Sequence, residues 1–466
     1  MTSEYRTPPA RSTFWPAAKR FSGTVLVALT VGAALTVAPT GPATAAPAPV
    51  NCPAPGPWVG AWGAPASDSS ARSIPTDPSG DPAVEVDNST VRSIITPTRA
   101  GQVLRVRLSN LFGTAPLTFG AASAAKQAGG AKIANPVPLL FNGQVSVTVP
   151  AGAEVVSDPT VLPFAVGESL AISTYVPASV DVPTRHFAAR QHSYQTDPGV
   201  GDQTSEVGDA PYDNTSTSRL FVTGMDVRTP GVGAVVAFGD SLTDGYRGTV
   251  MPPHNPESPV GLDELVRWPD FLAARINAER LPLTVVNSGI TGNMVTMDGT
   301  TNPAAGPSAL SRLSRDVLSV PNVSTVVLFE GINDLGHGAT FESLTQGYQS
   351  IIATLHKRGI RVVQGTITPA GANATYGVVA DPTLNPLRIR VNEWILESSP
   401  ADSIVDFDKA IADPADPAYI RADLDGGDGL HLTPAGYQLL ANTISLEQIK
   451  NPCSVPSGSS SWGSAA

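Results

Sequence analysis

Residues 235–245 decide the fold, and they read Val-Val-Ala-Phe-Gly-Asp-Ser-Leu-Thr-Asp-Gly. The apolar run at 235–238 predicts a buried strand, which stops at Gly239. A carboxylate, Asp240, and a hydroxyl, Ser241, follow at once, and α/β folds place their chemistry just beyond the carboxyl ends of parallel strands. A polar turn in which Asp240 or Ser241 caps a helix would give the same pattern. Ser241 is therefore a candidate nucleophile with a structural alternative.

Strands and helices alternate along the chain beyond this stretch. Strand-like apolar runs lie at 283–286, 323–329 and 360–365, and helical segments are predicted at 269–280, 308–318, 341–358 and 386–397. Such alternation is typical of βαβ units, which build a parallel sheet. We therefore predict an α/β domain over residues 229–453, beginning at a Pro- and Gly-containing boundary.

Residues 58–228 have a different pattern. The segments 102–108, 145–149 and 169–175 carry strand signals, with apolar and polar residues alternating over most of the first two, and helical periodicity is nearly absent. This pattern predicts an all-β sandwich, an accessory domain in front of the α/β domain. Its Trp58 and Trp62 are candidates for stacking on sugar rings, although core packing is the more common role of such residues.

The first 45 residues have the features of a signal peptide. They contain four basic residues and one acidic residue, a largely apolar run at 25–38, and a small-residue cleavage site ending at Ala45. We expect cleavage near Ala45, secretion, and no stable membrane anchor; a retained N-terminal anchor is the alternative, for which the apolar run is short. Residues 46–57 then form an N-terminal segment, and the Ser/Gly-rich tail at 454–466 is expected to be disordered.

The chain has two cysteines, Cys52 and Cys453, one at each end of the expected mature protein. Two cysteines in an exported protein usually pair, which predicts a disulfide between them. Neither has a neighbour at metal-ligand spacing, and we expect no metal and no other cofactor.

Charge limits the classes of partner. The formal net charge is −11 and becomes more negative when the basic leader is removed. An acidic surface argues against nucleic acid or anionic membranes as the main partner. We expect the protein to be a monomer.

Four short polar stretches lie after predicted strands or near the end of the α/β region, at 239–242, 287–293, 330–334 and 428–431. Acyl transfer by a serine requires a base, a carboxylate that orients the base, and donors for the oxyanion. His431 has Asp428 three residues before it in a Gly-containing turn. Gly292 permits close backbone approach, and Asn333 adds a side-chain amide. Each role therefore has a candidate.

These four stretches resemble, in order, the four blocks of the SGNH (GDSL) hydrolase superfamily, over about residues 235–449. The resemblance implies Ser241 as nucleophile, His431 as general base and Asp428 as its orienting group. It implies an oxyanion hole made by the Ser241 N–H, the Gly292 N–H and the Asn333 amide. It also implies a three-layer α/β/α fold with a flavodoxin-like parallel sheet.

Several residues near these blocks have competing interpretations. Gly289 is the rival of Gly292, which is favoured because it follows a small hydroxyl residue, as the second-block glycine often does in this superfamily. We interpret Asp240 as a helix cap, and we expect Glu330 and Asp334 to tie neighbouring loops by hydrogen bonds.

The remaining histidines receive structural interpretations first. We expect surface loops for His186 and His192, although either could reach over the active-site edge, and solvation for His356. His254 and His337 are lesser candidates for lining the substrate cleft. Asp423, Asp425 and Asp428 lack the full pattern of a calcium loop.

The N-terminal β region is similar to the one that precedes the catalytic domain in a subset of secreted bacterial SGNH esterases. The sequence thus predicts a secreted serine esterase that forms an acyl-enzyme, with short acyl (acetyl) esters of carbohydrates as the leading substrates. A lipase or phospholipase for longer acyl chains is the first alternative. An inactive carbohydrate-binding protein of the SGNH type is the alternative from another class.

Overall fold

The structure is a computed structural model that describes residues 56–67, 85–187, 189–246, 262–299, 303–373, 375, 377 and 381–451. The predicted signal peptide, the disulfide between Cys52 and Cys453, His254 and the C-terminal tail lie outside the described residues. Within the described ranges, no helix combines the length and the apolar character needed to cross a bilayer.

The N-terminal region is a set of antiparallel strands. They are, in chain order, β1 (Trp58–Gly63), β2 (Ser89–Ile95), β3 (Gly101–Asn110), β4 (Leu117–Phe119), β5 (Ala121–Gly129), β6 (Lys132–Pro138), β7 (Val147–Val149), β8 (Ala153–Val156), β9 (Thr160–Phe164), β10 (Leu170–Val176), β11 (Arg185–His186), β12 (Ser193–Gln195), β13 (Asn214–Ser216), β14 (Arg219–Leu220) and β15 (Val222–Arg228).

Two of the sheets in this region pack face to face. One has the order β1-β15-β3-β8, with β9 also pairing with β3, and the other has the order β13-β12-β2-β10-β5-β6. Apolar side chains of both sheets share one buried cluster, which includes Val106 of β3 and Ile172 of β10. The region is therefore a β sandwich, as predicted. Trp62 is 7% exposed and belongs to this core, so it has the packing role that the sequence analysis gave as the more common one.

The following region alternates strands and helices. Its elements are β16 (Gly233–Gly239), α1 (Ser241–Asp244), α2 (Trp268–Ala278), β17 (Leu283–Gly289), α3 (Ala309–Leu313), β18 (Val323–Phe329), α4 (Ile332–Gly336), α5 (Phe341–His356), β19 (Arg361–Gly365), α6 (Leu384–Ser398), β20 (Ser403–Val405), α7 (Phe407–Ile411) and α8 (Pro434–Thr443). Pro303–Ala305 forms a 3-10 turn, and a π-helical turn at Ser314–Leu318 extends α3.

The strands of this region form one parallel sheet in the order β17-β16-β18-β19-β20. Numbered along the chain, this is the order 2-1-3-4-5 of flavodoxin-like folds, as expected. The sheet is central because β16 is buried throughout and sends alternate side chains to opposite faces. Val236 lies in a core with α3, α5 and α6, whereas Val235 lies in a core with α2, α7 and α8. The predicted three-layer α/β/α architecture is confirmed.

The sandwich lies against the edge strand β17 through β1. Thr284 Oγ1 donates to the Gly60 carbonyl at 2.6 Å, and Thr98 Oγ1 donates to the Val285 carbonyl at 2.8 Å. Val59 of β1 is buried in the core of the parallel sheet. The two regions therefore share hydrogen bonds and apolar contacts beside the strand that leads into the second polar block.

Candidate active site

Ser241 lies where the central strand ends and a short helix begins. Strand β16 stops at Gly239, and Asp240 caps α1 by accepting the Leu242 N–H at 3.0 Å. This arrangement confirms the capping interpretation of Asp240. Burial raises the pKa of Asp240 to about 7, with a further rise from Asp334, against the opposing effect of the Leu242 N–H. Ser241 is thus the first helical residue, and its N–H is not used within the helix.

His431 and Asp428 meet Ser241 from the turn that precedes α8. His431 Nε2 lies 2.8 Å from Ser241 Oγ, and His431 Nδ1 lies 2.6 Å from Asp428 Oδ2. The other carboxylate oxygen of Asp428 accepts the N–H groups of Leu430 at 3.0 Å and His431 at 2.8 Å, which fixes the turn. Burial opposes ionisation of Asp428, but the bonds and charge of His431 outweigh it and lower the pKa. The carboxylate is therefore the form that faces the imidazole.

Gly292 lies in the turn that follows β17. The Asn293 N–H donates to the Ile290 carbonyl at 3.0 Å, and Gly292, the third residue of this turn, has a φ of 81°. A type II turn requires positive φ at that position, which explains the glycine. Within the described part of the chain, we find no acceptor for the Gly292 N–H.

Gly289 has a different role from Gly292. Its N–H donates to Asn287 Oδ1 at 2.9 Å, and a Cβ there would lie 2.3 Å from the Asp244 nitrogen. The Gly289 N–H is thus occupied, and its glycine is explained by close packing against α1. These observations favour Gly292 as the oxyanion donor.

Asn333 is the second residue of α4 and is 4% exposed. Its Nδ2 donates to the Asn293 carbonyl at 2.9 Å, which leaves the amide beside the turn that holds Gly292. Asp334 ties the same two loops together, because its carboxylate accepts the Val295 N–H at 2.7 Å and the Thr296 N–H at 3.0 Å. The structural role expected of Asp334 is thereby observed.

Residues 237–439 match the GDSL-like lipase/acylhydrolase family. The match lies within the α/β domain, which is a GDSL-like domain, and covers under half of the chain. Similar solved structures include the aryl esterase of M. smegmatis (18% identity, TM-score 0.34), a carbohydrate acetylesterase of Sinorhizobium meliloti (17%, 0.34) and a GDSL-like lipase of Bacteroides thetaiotaomicron (15%, 0.32). Each alignment covers 45% of this chain and, respectively, 95%, 94% and 84% of the other chain. No curated protein matches the chain.

The GDSL domain contains a buried arginine that the sequence did not reveal as part of the site. Arg312 of α3 donates through Nε to Asn293 Oδ1 at 2.6 Å, and through Nη1 and Nη2 to the carbonyls of Ser288 at 2.7 Å and Gly239 at 2.8 Å. It thus joins the ends of β16 and β17 to the turn that holds Gly292. Asp316, 3.2 Å from Nη1, partly balances its charge.

The environment of Glu330 differs from the expectation that this residue ties neighbouring loops by hydrogen bonds. Its carboxylate has no hydrogen-bond partner among the described residues, so it does not tie loops together as Asp334 does. Burial raises the pKa of Glu330 well above its ordinary value, and the nearby Asp240 and Asp334 add to this effect, whereas Arg312 opposes it. Burial and two acidic neighbours therefore favour the neutral form.

The histidines of the described residues also differ from expectation in one case. His186 is 4% exposed and bonds to Asp244 of α1, so its assignment to a surface loop was wrong. His192 and His356 are partly exposed and pair with Asp263 and Asp402, respectively. In the part of the chain that the structure describes, no group of three or more His, Cys, Asp or Glu side chains is arranged to hold a metal.

Proposed function

We propose that the protein is a serine ester hydrolase in which Ser241, His431 and Asp428 act as nucleophile, general base and orienting carboxylate. The observation that carries this proposal is the continuous chain of hydrogen bonds from Ser241 Oγ through the imidazole to Asp428. The Asp428 carboxylate requires a proton on His431 Nδ1, which leaves Nε2 as the acceptor for the serine proton.

In the acylation step, Ser241 Oγ bonds to the ester carbonyl carbon as its proton passes to His431 Nε2. The carbonyl oxygen becomes the oxyanion and is stabilised by the N–H groups of Ser241 and Gly292 and by the Asn333 amide. The intermediate then re-forms its carbonyl and breaks the bond to the alcohol oxygen. That oxygen takes the proton from His431 Nε2, and the alcohol leaves.

Deacylation repeats these events with water. His431 Nε2 takes one proton from water as the hydroxyl oxygen bonds to the acyl carbon. Collapse of the second oxyanion breaks the bond to Ser241 Oγ, which recovers its proton from His431. The carboxylic acid is released, and every group of the site returns to its initial state.

A short acyl group, in particular acetyl, is the substrate class that we propose. Tyr246 supports it, because its ring lies edge-on to the His431 ring with centroids 4.6 Å apart. Tyr246 is itself buried with Phe187 and Ala304, and its carbonyl accepts a bond from the Tyr437 hydroxyl. In this proposal the buried Tyr246 ring, which lies beside the general base, is one wall of the acyl pocket. Carbohydrate esters are the proposed source of such groups.

Hydrolysis of p-nitrophenyl esters of increasing acyl length, with Ser241→Ala as control, tests the proposal. We expect serine-dependent turnover that is highest with acetate and falls as the acyl chain lengthens. A preference for long chains would favour a lipase or phospholipase. Absence of turnover on every ester, together with binding of polysaccharide, would favour an inactive carbohydrate-binding protein.

We also propose that the protein is exported and acts as a monomer on ester substrates, without nucleic acid or a stable membrane anchor. The leader-like composition of residues 1–45 supports export. N-terminal sequencing of protein recovered from the culture medium should begin near Ala45. An intact N-terminus in the membrane fraction would instead support the anchor.

A disulfide between Cys52 and Cys453 belongs to the same proposal, because exported proteins are oxidised. Closing so long a loop stabilises the folded state by roughly 5 kcal/mol in the chain-entropy model. Thiol counting on the unreduced, denatured protein should find no free thiol. Two free thiols would contradict the pairing.

A further inference from the structure

A buried chain of polar contacts joins the β sandwich to the proposed oxyanion hole. His186 of β11 places Nε2 3.0 Å from Asp244 Oδ1. Asp244 Oδ2 accepts the Thr291 N–H at 3.0 Å and the Thr291 hydroxyl at 2.7 Å. Asp244 is three residues after Ser241, and Thr291 is directly before Gly292. This series of polar contacts therefore reaches residues close in sequence to both the proposed nucleophile, Ser241, and the proposed oxyanion donor, Gly292.

The imidazole of His186 is held at both nitrogens. Nδ1 lies 2.8 Å from the Pro65 carbonyl, and the side chains of His186 and Asp244 are 5% and 3% exposed. A carbonyl and a carboxylate are both acceptors, so each ring nitrogen lies against a group that can accept a hydrogen bond from it. His186 and Asp244 thus form a buried, hydrogen-bonded pair in which the imidazole is fixed at both nitrogens.

Contacts within the β sandwich hold β11 in place, and a residue that follows β11 contacts the GDSL domain. The Ser67 N–H donates to the Arg185 carbonyl at 2.8 Å, and His186 pairs with Arg219 of β14. Arg190 donates from Nε to the Gly245 carbonyl at 3.4 Å, at the end of α1. The sandwich therefore fixes the position of His186, and His186 fixes the position of Asp244.

We propose that His186 of the β sandwich is a positioning residue for ester hydrolysis. It holds the Asp244 carboxylate, which orients Thr291 and so directs the Gly292 N–H at the oxyanion. This role rests on the proposed function of Ser241 and Gly292. It makes the β sandwich a part of the catalytic apparatus, because the turn that carries the oxyanion donor is held by a residue from the other region.

The substitutions His186→Gln, Thr291→Val and Thr291→Ser test this role. We expect His186→Gln to lower kcat roughly 10- to 100-fold, because small displacements of catalytic groups have effects of that size, while KM changes by less than about threefold. Thr291→Val removes only the 2.7 Å hydroxyl bond and should lower kcat by roughly 3- to 10-fold. Thr291→Ser retains a hydroxyl and should restore kcat to within about twofold of the wild type.

The two losses should also be non-additive. His186 and Thr291 act through the same carboxylate, so the double variant should lose less than the product of the two single losses. His356→Gln is the matched control, because it breaks a 2.9 Å His–Asp contact that lies on the surface, between α5 and Asp402. It should leave kcat unchanged.

Thermal unfolding separates positioning from stability. A purely structural role would lower the Tm of His186→Gln and Thr291→Val while each folded protein kept wild-type kcat, and that result would overturn the inference. Failure of Thr291→Ser to restore kcat would also overturn it. Ser241→Ala is measured in the same series. If that variant kept its activity, the proposed function itself would be wrong. If Ser241→Ala were inactive while the His186 and Thr291 variants were fully active, only the positioning role would be wrong.

Discussion

His431 Nε2 lies 2.8 Å from Ser241 Oγ, although 190 positions of sequence separate the two residues. They meet because β16 delivers Ser241 to the carboxyl edge of the parallel sheet and the turn before α8 delivers His431 to the same edge. Asp428 completes the arrangement from within that turn. The geometry of the site is thus a consequence of sheet topology and of one hydrogen-bonded turn.

Asp428→Asn tests the orienting role of the carboxylate. An asparagine can present its amide N–H to His431 Nδ1, and the single proton of the neutral imidazole then lies on Nε2. A protonated Nε2 cannot accept the proton of Ser241. We expect kcat to fall by roughly 10⁴-fold, as in other triads with this change. Steady-state kinetics measure the loss, and a fall of less than about tenfold would show that another group orients His431.

Asn333→Ala tests the oxyanion hole. The amide is expected to bind the oxygen more tightly in the transition state than in the substrate, so its loss should lower kcat by roughly 10²- to 10³-fold with little effect on KM. Measurement of kcat and KM separately decides the matter. A change confined to KM would assign Asn333 to substrate binding.

Glu330→Gln tests the protonation state of a buried group. Because burial raises the pKa of Glu330, the folded state holds its proton more tightly than the unfolded state, and stability falls as pH rises above the ordinary value. Glutamine has nearly the same shape and does not titrate. We expect its free energy of unfolding to exceed that of the wild type at pH 8, by an amount on the order of 1 kcal/mol, and to match it near pH 4.

Urea unfolding at both pH values measures this difference. If Glu330 were ionised and needed to balance the charge of Arg312, the glutamine variant would be less stable than the wild type at pH 8. Equal stability at both pH values would also contradict the assignment.

Arg312→Lys tests the role of the buried guanidinium group that joins the ends of β16 and β17 to the turn that holds Gly292. Lysine keeps the charge but cannot donate in three fixed directions, so the carbonyls of Gly239 and Ser288 or the Asn293 amide lose a partner. We expect a loss of roughly 2–4 kcal/mol in the free energy of unfolding. Arg390→Lys is the matched control: its 3.4 Å pair with Glu342 is exposed, and it should change stability by less than about 0.5 kcal/mol. Equal effects of the two substitutions would contradict the account of Arg312.

The sequence was sufficient for the features that depend on local pattern. Buried parallel strands are continuous apolar runs, and the run predicted at 323–329 coincides with β18 (Val323–Phe329). Strand β20 (Ser403–Val405) was not predicted, because three residues carry little periodicity. The helix predicted at 308–318 is divided between α3 and a π-helical turn, a change in backbone hydrogen bonding that side-chain spacing does not encode.

The features that sequence reasoning missed depend on distant partners. His186 lies 121 positions from Pro65 and 58 from Asp244, and nothing near it in sequence indicates either contact. Arg312 is a charged residue on a helix, and such residues are more often found at the surface. Its burial is favourable because three acceptors, at the strand ends and in the turn that holds Gly292, satisfy its guanidinium group. Glu330 is an acidic residue directly after a strand and was expected to hydrogen-bond to neighbouring loops, but its carboxylate has no partner among the described residues.

Covalent trapping of Ser241 tests the central claim most directly. The protein is treated with a fluorophosphonate, its intact mass is measured, and the modified peptide is sequenced, with Ser241→Ala and His431→Ala treated in parallel. We predict one adduct per chain, located on Ser241, absent from Ser241→Ala and formed far more slowly in His431→Ala. An adduct on another residue, or rapid labelling of Ser241→Ala, would contradict the assignment of Ser241 as the nucleophile.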